Sequence, residues 1–340
     1  MRIQRLVRSR VVQIIFLLIV VITFGSLINR YKKKVREPAN FTCQISNASV
    51  SFDMVYIPGG EFEMGSPENE PDRKPDEGPV HKVKVNPFWI GKYEVTWDEY
   101  EQFFIGQVDA VTLASPKVSW PWMKIFLQWL LFKTGMPFIK FDAVTRPSPY
   151  YGAPDHGWGR GKRPVIGISW YGATKYCEWL SMKTGEEFRL PTEAEWEFAC
   201  RAGSSGQYYF DSNPGNLGDY AWFYDNSNDQ PQEVGQKKPN AFGLYDMLGN
   251  VWEFCQDTYD PEYYKVLQEK EVVTDPLKTD KDGKPVLRGG SWDDDQPAVR
   301  SARRLVAEDW WNERDPQRPR GKWWLVDGGM VGFRIVRSAK

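Results

Sequence analysis

Val11 to Ile28 is a run of eighteen residues without a charge, and only Gln13, Thr23 and Ser26 carry clearly polar side chains. A helix of that length extends about 27 Å, near the lower limit for crossing a hydrocarbon layer about 30 Å thick. Arg2, Arg5, Arg8 and Arg10 precede it, and Arg30, Lys32, Lys33, Lys34 and Arg36 follow it. A core helix is rarely apolar all round with flanks this basic, so the run reads as a transmembrane anchor. The main rival is a cleaved signal peptide, whose apolar stretch is usually shorter and ends in a small-x-small site, which is not evident here. With no Cys close behind, a lipoprotein anchor has no support. The expectation is a single-pass membrane protein: a basic tail over 1–10, an anchor over 11–28, a tether over 29–50 and an extracytoplasmic C-terminal domain. Four bases before the run against five after it nearly cancel in the positive-inside count, so orientation is set only weakly.

Residues 1–36 take nine of the 44 Lys and Arg and none of the 45 Asp and Glu. The rest of the chain is therefore acidic overall, which argues against a nucleic-acid partner, since binding phosphates requires a basic face. An aromatic content of 15% excludes disorder. There is no internal repeat. Asn40-Phe-Thr42 and Asn47-Ala-Ser49 fit the glycosylation pattern, a triplet that also arises often by chance.

From Ser51 onward the chain reads as one domain, 51–340, with an insertion at about 106–145. Residues 52–57 alternate in part like a strand and end in Pro58-Gly59-Gly60. Residues 80–85 alternate cleanly, with Val83 and Val85 facing a core and Lys82 and Lys84 facing water. Thr96-Trp-Asp-Glu99 forms a capping box that opens a helix through Phe104. A second helix is expected from about Tyr171 to Lys183 with a stop at Gly185, and a third from Thr192 to Gly203. Trp120 to Phe132 is too short to span a bilayer; it reads as a buried helix or as an amphipathic element on a membrane or partner.

Several segments now stand in order: Val55-Tyr-Ile-Pro-Gly-Gly-Glu-Phe-Glu-Met-Gly-Ser66, Lys92-Tyr-Glu-Val-Thr96 and Arg189-Leu-Pro-Thr-Glu-Ala-Glu-Trp-Glu-Phe198. Asn240-Ala-Phe-Gly-Leu-Tyr-Asp-Met-Leu-Gly-Asn-Val-Trp-Glu253, Arg288-Gly-Gly-Ser-Trp292 and Gly332-Phe-Arg334 follow. Together, from Ser51 to the C-terminus, they resemble the formylglycine-generating enzyme (sulfatase-modifying factor) family. The resemblance implies an α+β, irregular C-type-lectin-like fold, placed here after one N-terminal transmembrane helix and often stabilised by calcium. Short strands, few helices and many Gly and Asn turns agree with a loop-rich domain.

Enzymes of that family oxidise a sulfatase cysteine to formylglycine with copper(I) on two thiolates. The first lies three residues after Gly-Gly-Ser and the second five further on. Those positions are Asp294 and Val299 here, and no Cys lies beyond Cys255. Copper(I) requires soft donors, so no copper is expected and no catalytic residue is assigned. Cys43 falls in the tether and Cys177 and Cys200 read as small buried hydrophobes. The position that pairs with Cys177 in disulfide-bearing relatives is Arg304. Iron-dependent sulfoxide synthases share the fold but need three histidines. This chain has His81, read as lying on an exposed strand face, and His156.

The resemblance also implies one calcium site, with the carbonyls of Leu248, Gly249 and Val251 and the carboxylate of Glu253 as ligands. Oxygen donors in irregular geometry suit calcium; the alternative is that Glu253 caps a turn or pairs with an arginine. A second family site, near Asp219 to Asn228, is left open by a shorter loop. Asp293-Asp294-Asp295 occupies the family's active loop, with Arg300, Arg303 and Arg304 near in sequence. An ion-pair network among them is favoured over a catalytic carboxylate. Trp292, Asp294, Arg300, Arg303 and Arg304 are the candidate ligand-binding set. Trp310, Trp311, Trp323 and Trp324, with Arg314, Arg318 and Arg320, form either a binding surface or an irregular core. The reading that results is a membrane-bound binding module for a protein or glycan ligand. The alternatives are a sulfatase-modifying oxidase that uses another oxidant, and a structural subunit of a surface or motility assembly.

Overall fold

The computed structural model describes residues 39–45, 49–104, 152–211, 213–316 and 320–339. The anchor over 11–28, the insertion at about 106–145 with Trp120–Phe132, and Arg318 lie outside the described residues. The described residues from Asn40 onward belong to one compact unit. Among the described residues no helix is long and apolar enough to cross a membrane.

The main sheet has five strands. β1 (Phe41–Gln44) pairs antiparallel with β2 (Ser51–Ile57), β2 with β5 (Phe88–Gly91), β5 with β12 (Val336–Ser338), and β12 with the short β6 (Phe188–Arg189). The chain's last strand thus lies at the heart of the sheet its first strands begin. Because β1 belongs to this sheet, the tether expected over 29–50 gives way to folded structure by Phe41, and Cys43 sits in a strand.

β3 (Gly60–Met64) and β4 (His81–Val85) form an antiparallel hairpin joined by β8 (Val273–Thr274). On β4, His81, Val83 and Val85 are buried while Lys82 and Lys84 are exposed. His81 therefore faces inward, correcting the exposed face expected of it: a period of two puts it on the same side as Val83. Its Nδ1 lies 3.0 Å from the Pro79 carbonyl oxygen, and its ring packs edge-on against Tyr264.

A third sheet carries the loops that matter for function, in the order β10 (Arg304–Val306), β9 (Pro285–Arg288), β7 (Trp252–Thr258), β11 (Val331–Gly332). Helix α1 spans residues 97–104, α2 is Trp170–Thr184, α3 Glu193–Arg201 and α4 Tyr263–Gln268. Each of the first three begins at a side-chain cap, and the one at Thr96 is the cap expected from the sequence. Glu99 Oε1 accepts from the Thr96 backbone N–H at 3.2 Å. Ser169 accepts from the Gly172 N–H, and Thr192 and Glu195 form a reciprocal capping box. α2 ends at Gly185, whose φ of 75° requires the left-handed region glycine favours. α3 ends a residue earlier than the sequence suggests, because Ala202 itself adopts the left-handed cap at φ 47°.

The buried residues form two clusters, and the one that holds the C-terminal tryptophans is rich in aromatic rings. Trp311, Trp323 and Trp324 are buried in it, whereas Trp310 is 48% exposed. Three of the four tryptophans of the C-terminal loop thus belong to the irregular core. All four cysteines are free thiols, and Cys177, Cys200 and Cys255 are buried, where the absence of water pushes each thiol far above its usual range.

Candidate functional site

β9 ends at Arg288, and the chain then turns through Gly289 (φ 103°) and Gly290 (φ 79°). A Cβ on Gly290 would come within 2.9 Å of Val299 Cγ2 and 3.0 Å of its Cα. Only glycine allows this close crossing, which buries Val299 completely beneath the loop. Beyond the turn a groove of about 430 Å³ opens, lined by Asp72, Arg73 and Lys74 from one segment and by Asp293, Asp294, Asp295, Pro297, Ala298 and Arg303 from another.

Asp294 is held in place. Its Oδ2 accepts from Trp252 Nε1 at 2.7 Å and from the Ser291 hydroxyl, and its carbonyl accepts from the Tyr224 N–H at 3.0 Å. Burial pushes its carboxyl above the usual range, against the pull of the Ser291 and Trp252 hydrogen bonds. Asp293 is raised by burial and then by Asp294 and Asp229, so it faces other carboxylates.

The expected network between Asp293–Asp295 and the arginines does not form. Arg300 is fully buried and engages Glu77 through both Nη atoms (2.8 and 2.7 Å), Glu70 at 2.8 Å and the Asp72 carbonyl at 2.8 Å. Arg304 is 1% exposed and donates Nε to Glu193 Oε1 at 2.7 Å and Nη1 to the Asp76 carbonyl at 2.8 Å. Its guanidinium lies 4.3 Å from the Tyr264 ring centroid. Arg288 completes the network, donating to Glu193 at 2.8 Å and to Glu197. Burial pushes Glu193 and Glu197 up, but the arginines, Arg304 and Arg201 foremost, outweigh it and hold both carboxyls below their ordinary range. Arg300 and Arg304 are therefore engaged inside the fold. Of the candidate set, Asp294 and Arg303 line the groove, and Trp292 is 8% exposed and donates Nε1 to the Gly329 carbonyl at 3.1 Å. Arg303 lies 3.8 Å from Glu77, and its charge draws the Asp294 carboxyl down.

The loop that leads into β7 has its own buried charge. Gly249 (φ 75°) passes so close to Trp222 that a Cβ would lie 2.1 Å from its carbonyl oxygen. Glu253 Oε1 accepts from Arg334 Nη2 at 2.7 Å; Oε2 accepts from Arg334 Nε at 2.7 Å and Trp196 Nε1 at 2.8 Å. The arginine pairing weighed for Glu253 is thus present. Two more carboxylates share this interior. Glu94 accepts from Asn250 Nδ2 at 2.7 Å and the Val251 N–H at 3.2 Å. Asp246, 1% exposed, accepts from the Gly235 N–H at 2.7 Å through Oδ2, while its Oδ1 has no hydrogen-bond partner. Burial, then the neighbouring acids, push Glu94 well up; burial, helped by Glu253, outweighs the Gly235 bond and the Arg334 charge and takes Asp246 to about 6.

Three buried carboxylates thus meet one guanidinium, and an acceptor is left over. Glu253 Oε1 still has a lone pair free. The calcium ligands that the resemblance implies would add the carbonyls of Leu248, Gly249 and Val251 to the Glu253 carboxylate, all oxygen donors of the kind calcium takes. Among the described residues no three His, Cys, Asp or Glu side chains lie close enough to chelate a metal on their own. Backbone oxygens would have to supply most of such a site. Sequence reasoning missed Asp246; its signal was an acid one turn ahead of the Gly249-Asn250 corner.

With this geometry in place, comparison with known proteins gives a consistent answer. Residues 45–339 match the sulfatase-modifying factor enzyme 1-like domain. The chain is 31% identical to a formylglycine-generating enzyme of Streptomyces coelicolor over 263 residues, covering 70% of this chain and 78% of the relative. It is 30% identical to the inactive C-alpha-formylglycine-generating enzyme 2 of Mus musculus over 313 residues, covering 84% and 86%. It is also 32% identical to the serine/threonine-protein kinase pkn1 of Chlamydia pneumoniae, covering 74% of this chain but spanning only 35% of that relative's length. Among solved structures, PvdO from Pseudomonas aeruginosa aligns with a TM-score of 0.60 at 27% identity, covering 89% of this chain and all of the other. The mixed sheets and sparse helices are those of this fold, and the chain belongs to the sulfatase-modifying factor enzyme 1-like family.

Proposed function

We propose that this chain is a non-oxidase member of its family: a membrane-anchored, extracytoplasmic module that binds a protein or surface ligand at the groove beside Asp294. One observation carries the reading. Where the family's oxidases place two thiolates, this chain has an aspartate clamped by Trp252 and Ser291 and a valine sealed under Gly290. A hard carboxylate and an alkyl group do not hold copper(I). The nearness of a relative named as inactive fits this reading. The direct test gives the purified full chain copper(I), oxygen and a Cys-x-Pro-x-Arg peptide. The expected result is no stoichiometric copper by mass spectrometry and no aldehyde on the peptide; either product would establish an oxidase instead.

Structural calcium belongs to the same proposal. The ion would take the Glu253 carboxylate with the carbonyls of Leu248, Gly249 and Val251, beside the Asp246 carboxyl that the Glu253 charge already pushes up. Binding only the native state, it raises the melting temperature. Calcium titration should therefore stabilise the wild type and leave Glu253→Ala unmoved. A flat wild-type titration would remove calcium from the account.

A further inference from the structure

We infer that a second cleft, between β1 and the loop around Gly243, binds a neutral saccharide or a closely related polyol. Its volume is about 490 Å³, within the range of small-ligand sites, and it shares no lining residue with the groove at Asp294.

The chemistry of its walls selects the ligand. Lys92 Nζ stands 3.6 Å from Asp53 Oδ2, and the two side chains are 30% and 43% exposed. That gap is wider than a hydrogen bond, so one hydroxyl can bridge it, accepting from the ammonium and donating to the carboxylate. Both groups are already positioned for this. The Lys92 ammonium lies over the rings of Tyr93 and Tyr245, at 5.3 and 5.7 Å, and Asp53 Oδ1 accepts from the Thr42 hydroxyl at 2.7 Å. Phe242 and Tyr245 add aromatic surface to the wall, as the C–H face of a sugar ring requires. Between them Gly243 leaves open space where a Cβ would stand.

Other ligand classes fit less well. An anion meets Asp53 and a cation meets Lys92, so the pair favours a molecule without net charge. An added peptide strand would need the free β2 edge beyond β1. There the Asn40 side-chain oxygen Oδ1 already accepts from the Tyr56 N–H at 2.8 Å.

The experiment titrates the full chain, in lauryldimethylamine oxide micelles, with chitotriose, maltotriose and cellotriose, read by calorimetry and saturation-transfer NMR. Inorganic phosphate and a lysine-rich peptide serve as competitors. Saturable binding of at least one trisaccharide is expected. Asp53→Asn and Lys92→Met should each weaken it about tenfold or more without moving the melting temperature. If one variant melts early, the other decides. No saturable binding by any of the three sugars, affinity unchanged in the folded variants, or displacement of the sugar by phosphate or peptide would each overturn the assignment.

Discussion

Asp294 shows how much one side chain can commit a loop. One carboxylate oxygen accepts from both Trp252 Nε1 and Ser291, so removing it strands a buried indole donor. Asp294→Ala should cost about 1–3 kcal/mol in urea unfolding, and Asp294→Asn, which keeps an acceptor, clearly less. Equal losses for the two would show that the hydrogen bonds are not what holds the loop. The sequence made this residue conspicuous by what it replaces, but not its partners: Trp252 is 42 positions away. The same distance explains the misassigned arginines. Arg300 and Arg304 stand next to three aspartates in sequence, yet the fold delivers Glu77 and Glu193 to them from segments 223 and 111 residues away. Local charge order carries no information about such pairs.

Helices and strands were more legible, because their signals are local. Caps at Thr96 and Thr192 and the stop at Gly185 are set within a few residues, and all three appear. Thr192→Ala should accordingly cost about 1 kcal/mol, seen as a lower urea midpoint with an unchanged slope. The first cap has a further consequence. Burial lifts Glu99 to about 7, against its bonds to Thr96, and lifts Asp257 to about 7 as well. Unfolded, both release their protons near pH 4 (about 3.9–4.3). Between those values the folded chain holds more protons, so stability declines as pH rises from about 4 to 7. Glu193 and Glu197, held low by arginines, act in the opposite sense and lose their contribution in stronger acid. Melting temperature should therefore peak in mild acid. Glu99→Gln, which keeps the acceptor, should raise it more at pH 8 than at pH 5; an equal rise at both would disprove the linkage.

At the scale of the molecule, the composition pointed to a loop-rich domain, and the ordered motifs named its family before any geometry was known. What they could not convey is how loops without regular structure keep their shape. The buried ion pairs do this. Arg300 ties the segment carrying Asp72 to the one carrying Asp294, through Glu70, Glu77 and the Asp72 carbonyl. Truncation of one member leaves an uncompensated buried charge, so Arg300→Met should cost about 3–5 kcal/mol. Pairing it with Glu77→Gln should recover part of that loss; strictly additive losses would argue against direct coupling.

Because a single guanidinium spans both banks of the trench, its width is fixed before any visitor arrives. The banks cannot spread to admit a bulky guest or pinch around a slim one without breaking bonds in the dry interior. If the proposed ligand enters here, any adjustment of fit would fall to the ligand and not to the trench.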